Sequence, residues 1–194
     1  MPRVIIVHGW DGYPEEGWFP WLKRELEKKG FEVQVPAMPN PAEPKIETWV
    51  PHLAKIVGEP DEDLFLVGHS IGCQTILRYL ESLHADKKIG GAVLVAGFFK
   101  LILGTNEEEE TAKPWLETPI DFGKVKSHSN NFTAVFSDND PFVSLENKKL
   151  FEENLGAKTI VLSNKGHFSG GMDKCFELPI ALESVLELTQ YGKQ

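Results

Sequence analysis

The strongest chemical signal in the sequence is a serine placed between two glycines. Residues Gly68-His69-Ser70-Ile71-Gly72 fit the pattern G-x-S-x-G, in which a serine nucleophile occupies a tight turn between a strand and a helix. The run Leu64–Val67 before it has the continuous apolar character of a buried strand, and a helix is predicted over Cys73–Leu83. An ordinary glycine-rich turn is the alternative interpretation. The strand and helix on either side favour Ser70 as a nucleophile.

A serine hydroxyl is a weak nucleophile, so it needs a base and a group that orients the base. In hydrolases of this kind the acid and then the histidine follow the serine along the chain, each after a later strand. His167 follows the last predicted strand, and we expect it to be the base. The acid is Asp138 or Asp140, since both follow the strand predicted over Phe132–Phe136. We favour Asp140 because it lies deeper in the loop, whereas Asp138 could stabilise the turn.

Acyl transfer also needs backbone N–H groups that stabilise the negative oxygen of the tetrahedral intermediate. Ile71, the residue after the nucleophile, is expected to supply the first N–H. The second should come from the loop after the first strand, which begins His8-Gly9-Trp10-Asp11-Gly12, and we assign it to Trp10. Asp11 either helps to shape this loop or is a solvated turn residue.

The residues that contact a substrate are less sharply defined by the sequence. Trp10 and Asp11 are expected at the mouth of the site, and Phe98, Trp115 and Phe142 could line an acyl pocket. His69 lies inside the turn, where we expect it to have a structural role, and we also expect it to contact substrate.

Other chemistries lack support in the sequence. It contains no dinucleotide-binding glycine motif, no phosphate-binding P-loop and no H-E-x-x-H zinc motif. Cys73 and Cys175 do not have the spacing of metal ligands. We therefore expect neither a metal nor an organic cofactor.

Short apolar runs alternate with stretches of helical periodicity along the chain. Strands are predicted over Val4–Val7, Phe31–Val35, Leu64–Val67, Ala92–Ala96, Phe132–Phe136 and Thr159–Leu162. Helices are predicted over Trp18–Lys29, Ile46–Val57 (with a start near Thr48 as the alternative), Cys73–Leu83, Ser144–Leu155 (with Ser144 as N-cap) and Pro179–Thr189. This alternation predicts an α/β fold of three layers, α/β/α, around a mostly parallel central sheet.

The segment from Phe99 to His128 is the hardest to interpret. It could be an extended connection or a small cap over the site, and the run Glu107-Glu108-Glu109-Glu110 within it is expected to be a solvated loop. His128 is expected in a polar loop.

The composition is that of a globular protein. The chain has 194 residues, 41% of them hydrophobic, and shows no linker or repeat, so we expect a single domain over residues 1–194. Its net charge of −9 repels phosphate backbones and anionic lipids, so neither nucleic acid nor a membrane is an expected partner. Two cysteines fit a reducing compartment, and the sequence shows no signal segment. We expect a cytoplasmic protein that is a monomer or a weak homodimer.

Several of these segments together resemble the α/β-hydrolase superfamily. They are His8-Gly9, Gly68-His69-Ser70-Ile71-Gly72, Asp140-Pro141 and Gly166-His167-Phe168. Further segments resemble the small YdeN-like serine hydrolases, which are related to the retinoblastoma-binding-protein serine hydrolases: Trp18-Phe19-Pro20-Trp21-Leu22, Met38-Pro39-Asn40-Pro41 and Leu94-Val95-Ala96-Gly97-Phe98. The resemblance covers essentially the whole chain. It implies a compact hydrolase without the two leading antiparallel strands and without a large lid, and a triad of Ser70, Asp140 and His167.

The expected function is a serine hydrolase of the carboxylesterase type that acts on small ester or related acyl substrates through an acyl-Ser70 intermediate. The alternatives are a catalytically silent protein-binding module on a hydrolase scaffold, and an acyltransferase or thioesterase. A retinoblastoma-type partner is not expected, because Asp173 stands where the Leu-x-Cys-x-Glu motif requires leucine.

Overall fold

The computed structural model describes residues 1–191, which fold around one sheet of six strands. The strands are β1 (Arg3–Val7), β2 (Glu32–Gln34), β3 (Leu64–His69), β4 (Gly91–Val95), β5 (Phe132–Ser137) and β6 (Lys158–Leu162). Their order across the sheet is β2-β1-β3-β4-β5-β6, and every neighbouring pair is parallel. The predicted parallel sheet, without leading antiparallel strands, is therefore confirmed.

Helices cover both faces of this sheet. They are α1 (Phe19–Glu27), α2 (Ile46–Val57), α3 (Ile71–Ser82), α4 (Asn106–Glu117), α5 (Phe122–His128), α6 (Glu146–Leu155) and α7 (Pro179–Tyr191). Alternate residues of β1 point to opposite faces: Val4 and Ile6 join the core formed with α1 and α7, whereas Ile5 and Val7 join the core formed with α2, α3 and α6. The three predicted layers are present. Among residues 1–191, no helix is long and apolar enough to cross a membrane.

The strand order brings the ends of β1 and β3 together. Connections from these two neighbouring strands run to opposite sides of the sheet, which opens a crevice at their carboxyl ends. Val7 at the end of β1 pairs with Gly68 near the end of β3. The loop after β1 and the turn after β3 therefore lie side by side, as the assignment of both to one site requires.

Three helices begin at residues other than those predicted, whereas α2 has the predicted bounds Ile46–Val57. Helix α1 begins at Phe19 rather than Trp18, and α3 begins at Ile71, directly after Ser70, rather than at Cys73. Helix α6 begins at Glu146, and its N-cap residue Leu145 makes no capping hydrogen bond through its side chain. Ser144 is therefore not the N-cap. It instead accepts hydrogen bonds through its backbone carbonyl.

The segment from Phe99 to His128 contains helices α4 and α5 and forms a small cap beside the sheet. The glutamate run Glu107–Glu110 is the first turn of α4, so the prediction of a loop there is wrong. The Thr105 side chain accepts from the Glu108 N–H, and the Glu108 carboxylate accepts from the Thr105 N–H at 3.0 Å. This capping box and the favourable placement of acidic residues at a helix N-terminus stabilise the turn.

Candidate active site

The turn between β3 and α3 has a strained backbone at Ser70. Its φ is +53°, a conformation that non-glycine residues seldom adopt and that costs of order 1–3 kcal/mol. The neighbouring glycines make the turn possible, because a Cβ on Gly72 would lie 2.3 Å from the Val7 carbonyl oxygen and a Cβ on Gly68 would lie 2.8 Å from the Cys73 nitrogen. Ser70 is 8% exposed and lines a cavity.

His167 and Asp140 form the contact that would orient a base. His167 Nδ1 lies 2.8 Å from Asp140 Oδ2, and because a carboxylate can only accept, Nδ1 carries the hydrogen. The Asp140 Oδ1 atom accepts from the Phe142 N–H at 2.9 Å and the Val143 N–H at 3.0 Å, and its side chain is 1% exposed. The bond at Nδ1 leaves Nε2 of the ring as the proton acceptor. His167 lines the same cavity as Ser70, and in the described residues the two side chains make no direct hydrogen bond, a contact that often tightens only with substrate bound.

Three residues before Asp140 hold the loop that carries His167. Successive backbone N–H groups of this loop each donate to a side chain at or just after the end of β5: Asn164 N–H to Asp138 Oδ1 at 2.8 Å, Lys165 N–H to Ser137 Oγ at 2.9 Å, and Gly166 N–H to Asn139 Oδ1 at 2.8 Å. The Asn164 bond holds the pKa of Asp138 below its ordinary value. Asp138 thus stabilises the loop, and Asp140 is the carboxylate that reaches the imidazole.

A second carboxylate, Asp173, supports the histidine loop from its other end. Its Oδ2 atom accepts from the His167 N–H at 3.0 Å, the Ser169 N–H at 2.9 Å and the Ser169 hydroxyl at 2.9 Å. The sequence reasoning did not find this role. The available signal was an aspartate just after Gly170-Gly171, where a loop rich in glycine needs a side chain to fix its backbone.

The two N–H groups assigned to an oxyanion hole are free to donate. In residues 1–191, the N–H groups of Trp10 and Ile71 donate to no other protein group. Ile71 is the first residue of α3, where a helix has no internal acceptor for the N–H. Ile71 directly follows Ser70, and Trp10 lines the same cavity as Ser70, so both N–H groups lie in the part of the molecule that the predicted assignment requires.

The loop after β1 is held by His8 and by the proline-rich segment after β2. His8 Nδ1 donates to the Gly9 carbonyl at 2.9 Å, and the Met38 N–H donates to His8 Nε2 at 3.0 Å. Burial lowers the pKa of His8, which keeps the ring neutral as this pair of bonds requires. Asp11, at φ +55°, donates its N–H to the Pro41 carbonyl at 2.8 Å, so its backbone shapes the loop while its side chain is exposed at the cavity.

His69 both supports the site and borders the cavity. Its Nε2 donates to the His167 carbonyl at 2.7 Å, and its ring packs edge-on against Trp18 and Phe19. Burial lowers the pKa of His69 to about 3, so the ring is neutral at physiological pH. This neutral ring connects the nucleophile turn to the histidine loop.

The cavity above Ser70 has a volume of about 710 Å³, within the range of small-molecule sites. Phe98 and Phe142 line it as predicted, and the Phe142 ring packs edge-on against the His167 ring. Trp115 does not line it. That residue is 1% exposed, packs against Trp49 in the core and donates its Nε1–H to the Pro44 carbonyl at 2.9 Å. The expectation that Trp115 contacts substrate therefore does not fit its position.

Apolar and acidic side chains together form the cavity wall. Apolar residues from the segment after β4 and from the histidine loop line it: Leu101, Ile102, Leu103 and Met172. The charged residues in the wall are Asp11, Glu16, Glu107 and Glu108, with no lysine or arginine among them. Burial raises the pKa of Glu16, and a hydrogen bond from the Gly170 backbone opposes this. Within the described residues, no cluster of three or more His, Cys, Asp or Glu side chains is arranged to hold a metal ion.

Comparisons with known proteins find relatives that match most of the chain. The serine hydrolase family profile matches residues 4–177. YdeN of Bacillus subtilis (strain 168) is 31% identical over 166 residues, which make up 86% of this chain and 85% of YdeN. Serine hydrolase RBBP9 of Rattus norvegicus is 25% identical over 169 residues, or 86% of this chain and 87% of RBBP9. The crystal structure of the ydeN gene product from B. subtilis matches with a TM-score of 0.90 at 28% identity, covering 98% of this chain and 100% of that chain. The resemblance drawn from the sequence motifs is confirmed.

Proposed function

Because the chain belongs to the serine hydrolase family, we propose that it hydrolyses small carboxylic esters through nucleophilic attack by Ser70. One observation carries the proposal: His167 Nδ1 lies 2.8 Å from a buried Asp140 carboxylate, at the wall of the cavity that Ser70 also lines. A strained serine, an oriented imidazole and a fixed carboxylate at one cavity are the parts that activate a hydroxyl for acyl transfer.

The reaction begins with proton transfer from the Ser70 hydroxyl to His167 Nε2. The oxygen attacks the ester carbonyl, and the negative oxygen of the tetrahedral intermediate accepts hydrogen bonds from the Ile71 and Trp10 N–H groups. Asp140 keeps Nδ1 protonated and stabilises the imidazolium. The imidazolium then protonates the leaving alcohol, and acyl-Ser70 remains. A water molecule, deprotonated by His167, attacks this acyl group and releases the carboxylic acid and free Ser70.

The cavity supports small esters as the substrate class. Its volume of about 710 Å³ and its apolar walls suit a compact acyl group next to the nucleophile. A thioester would react through the same acyl-Ser70 intermediate, and an acyltransferase would replace water with another acceptor. A silent protein-binding module would share the fold but would not need the strained backbone at Ser70.

Labelling with a fluorophosphonate probe tests the proposal. We expect one adduct per chain, located on Ser70 by peptide mass, and hydrolysis of p-nitrophenyl butyrate. Ser70→Ala should remove the adduct and lower ester turnover by roughly 10³-fold or more while circular dichroism stays unchanged. Ser127→Ala, on the exposed surface of α5, is the matched control and should label as the wild type does. A folded wild-type protein that neither labels nor turns over the ester would favour the binding module.

A further inference from the structure

The charges around the cavity all have the same sign. Asp11 and Glu16 come from the loop between β1 and α1, and Glu107 and Glu108 come from the first turn of α4. The Glu108 carboxylate is engaged in capping, with the Gly104 N–H at 2.8 Å and the Thr105 N–H at 3.0 Å. Two separate segments thus place negative charge on the wall of the proposed acyl site.

Glu16 lines the cavity without a countercharge from a lysine or arginine side chain of residues 1–191. It is half-buried, and among the described residues it forms no ion pair with a lysine or arginine. Burial raises the pKa of Glu16, a hydrogen bond from the Gly170 backbone opposes this, and His167 lines the same cavity. The Gly170 backbone gives this carboxylate a hydrogen bond but no opposite charge, so a cation that enters the cavity would supply the missing countercharge.

Aromatic rings line the same cavity. Trp10, Phe98 and Phe142 face it together with Tyr13, whose side chain is largely exposed at the mouth. A positively charged ammonium group is attracted to the face of an aromatic ring and to a carboxylate, and quaternary ammonium ligands are recognised by this combination. An anionic ligand would find neither a cationic side chain nor a favourable field here.

We propose that the cavity selects acyl substrates that carry an ammonium group and disfavours anionic ones, with Glu16 as the carboxylate that receives the positive charge. This inference rests on the proposed function, because it assigns the substrate class of the Ser70 site. Ser70 supplies the second feature that points to a ligand: it is 8% exposed, lines the cavity, and its Oγ has no hydrogen-bond partner among the described residues.

Pairs of substrates with the same shape and different charge test the selection. On the leaving-group side the pair is choline butyrate and 3,3-dimethylbutyl butyrate. On the acyl side it is the p-nitrophenyl esters of 5-(trimethylammonio)pentanoate and 6,6-dimethylheptanoate, with the monoester of adipate as the anionic member. The measurement is the ratio of kcat/KM within a pair, which cancels any general change in the rate of the chemical steps.

We expect the cationic member of at least one pair to be favoured by about 10-fold at low salt, and the adipate monoester to be disfavoured by a similar factor. In 1 M salt, where the Debye length is about 3 Å, both ratios should fall toward one. Glu16→Gln should reduce the cationic preference to less than about 3-fold. Glu15→Gln makes the same charge change one residue away, at an exposed position outside the cavity wall, and should leave the preference intact.

The outcomes separate this inference from the proposed function. Ratios near one for both pairs, in an enzyme that labels on Ser70, would overturn the charge selection alone. A preference that survives Glu16→Gln would overturn the assignment to Glu16. If no ester is turned over, the charge selection is tested by calorimetry, which compares the binding of choline butyrate and of 3,3-dimethylbutyl butyrate to Ser70→Ala. Tighter binding of the cation would support the inference there, and equal binding would overturn it.

Discussion

The two aspartates that follow β5 lie two residues apart and make different contacts. Asp140 is buried, reaches His167 Nδ1 at 2.8 Å and is fixed by two backbone N–H groups. Asp138 is solvent-exposed and holds the Asn164 N–H at 2.8 Å. The same substitution at the two positions therefore separates orientation of the imidazole from stabilisation of the loop.

Asp140→Asn should lower kcat for ester hydrolysis by roughly 10³- to 10⁴-fold, because an amide NH₂ facing Nδ1 favours the wrong tautomer of His167. Asp138→Asn should change kcat by less than about 3-fold, because the Asn side-chain oxygen can still accept from the Asn164 N–H. Steady-state kinetics with p-nitrophenyl butyrate measures both. Equal losses in the two variants would contradict the division of roles.

At the residue scale, the sequence was informative wherever a reactive side chain follows a strand. The sequence predicts that Ser70, Asp140 and His167 share one site because parallel strands bring their carboxyl ends to one edge of the sheet, and the structure places Ser70 and His167 at one cavity with Asp140 bonded to His167. Asp173 was missed because its role depends on the path of a loop with no strand to anchor it. Trp115 was misplaced because an aromatic residue in a helix can face a core or a cavity, and only tertiary packing decides which.

Among the elements, helix α6 supports the cavity through a single buried side chain. Asn147 is fully buried, its Oδ1 accepts from the Phe99 N–H at 2.7 Å and the Lys100 N–H at 3.0 Å, and its Nδ2 donates to the Lys100 carbonyl at 2.9 Å. These bonds fix the start of the segment that continues to Leu101 and the cavity wall. One asparagine thus ties the cap to the layer of helices beneath it.

Asn147→Ala should lower the free energy of unfolding by about 2–4 kcal/mol, because it leaves several backbone groups without partners in a buried region. Asn154→Ala, on the same helix and without a side-chain hydrogen bond among the described residues, should change it by less than about 0.5 kcal/mol. Urea unfolding followed by fluorescence gives both values. We also expect a higher KM for Asn147→Ala. An unchanged free energy of unfolding would contradict the role of Asn147 in connecting the cap to α6.

The sequence predicts the element types well except between Phe99 and His128, where it predicts neither α4 nor α5, and it predicts element ends less well. Strands and helices followed apolar periodicity, which is set by burial on one or both faces of the sheet. The composition of the glutamate run in α4 indicates exposure to solvent, which the structure confirms, but it does not indicate backbone conformation, so the predicted loop is a helix. Thr105 and Glu108 have the spacing of a capping box, and that pattern was the local signal for a helix start.

For the molecule as a whole, the buried histidines make stability depend on pH. Burial lowers the pKa of His8 and lowers that of His69 to about 3, so both rings are neutral in the folded state near neutral pH. In the unfolded chain each ring binds a proton near the reference pKa of about 6.5. Below that pH the unfolded state binds more protons than the folded state, so the free energy of unfolding decreases as the pH falls.

We expect the free energy of unfolding to decrease from pH 7 to pH 5, with a contribution from His69 that approaches about 1.4 kcal/mol per pH unit. His69→Gln should reduce this slope, whereas His84→Gln, at an exposed position, should not. Urea titrations at several pH values measure the slope. An identical slope in the wild type and His69→Gln would show that the buried imidazole is not its source.

The bonds between the loops after β5 and β6 restrict how this molecule can be altered or recombined. Side chains from Ser137 to Asp140 meet groups from Asn164 to His167 in four contacts, and the outer strand β6 pairs with β5 alone. An inserted residue in either loop would shift every later contact out of register. The loops that carry Asp140 and His167 therefore behave as one structural unit. A chimera with a relative has to exchange both loops together, whereas the serine turn, on a central strand, can be exchanged separately.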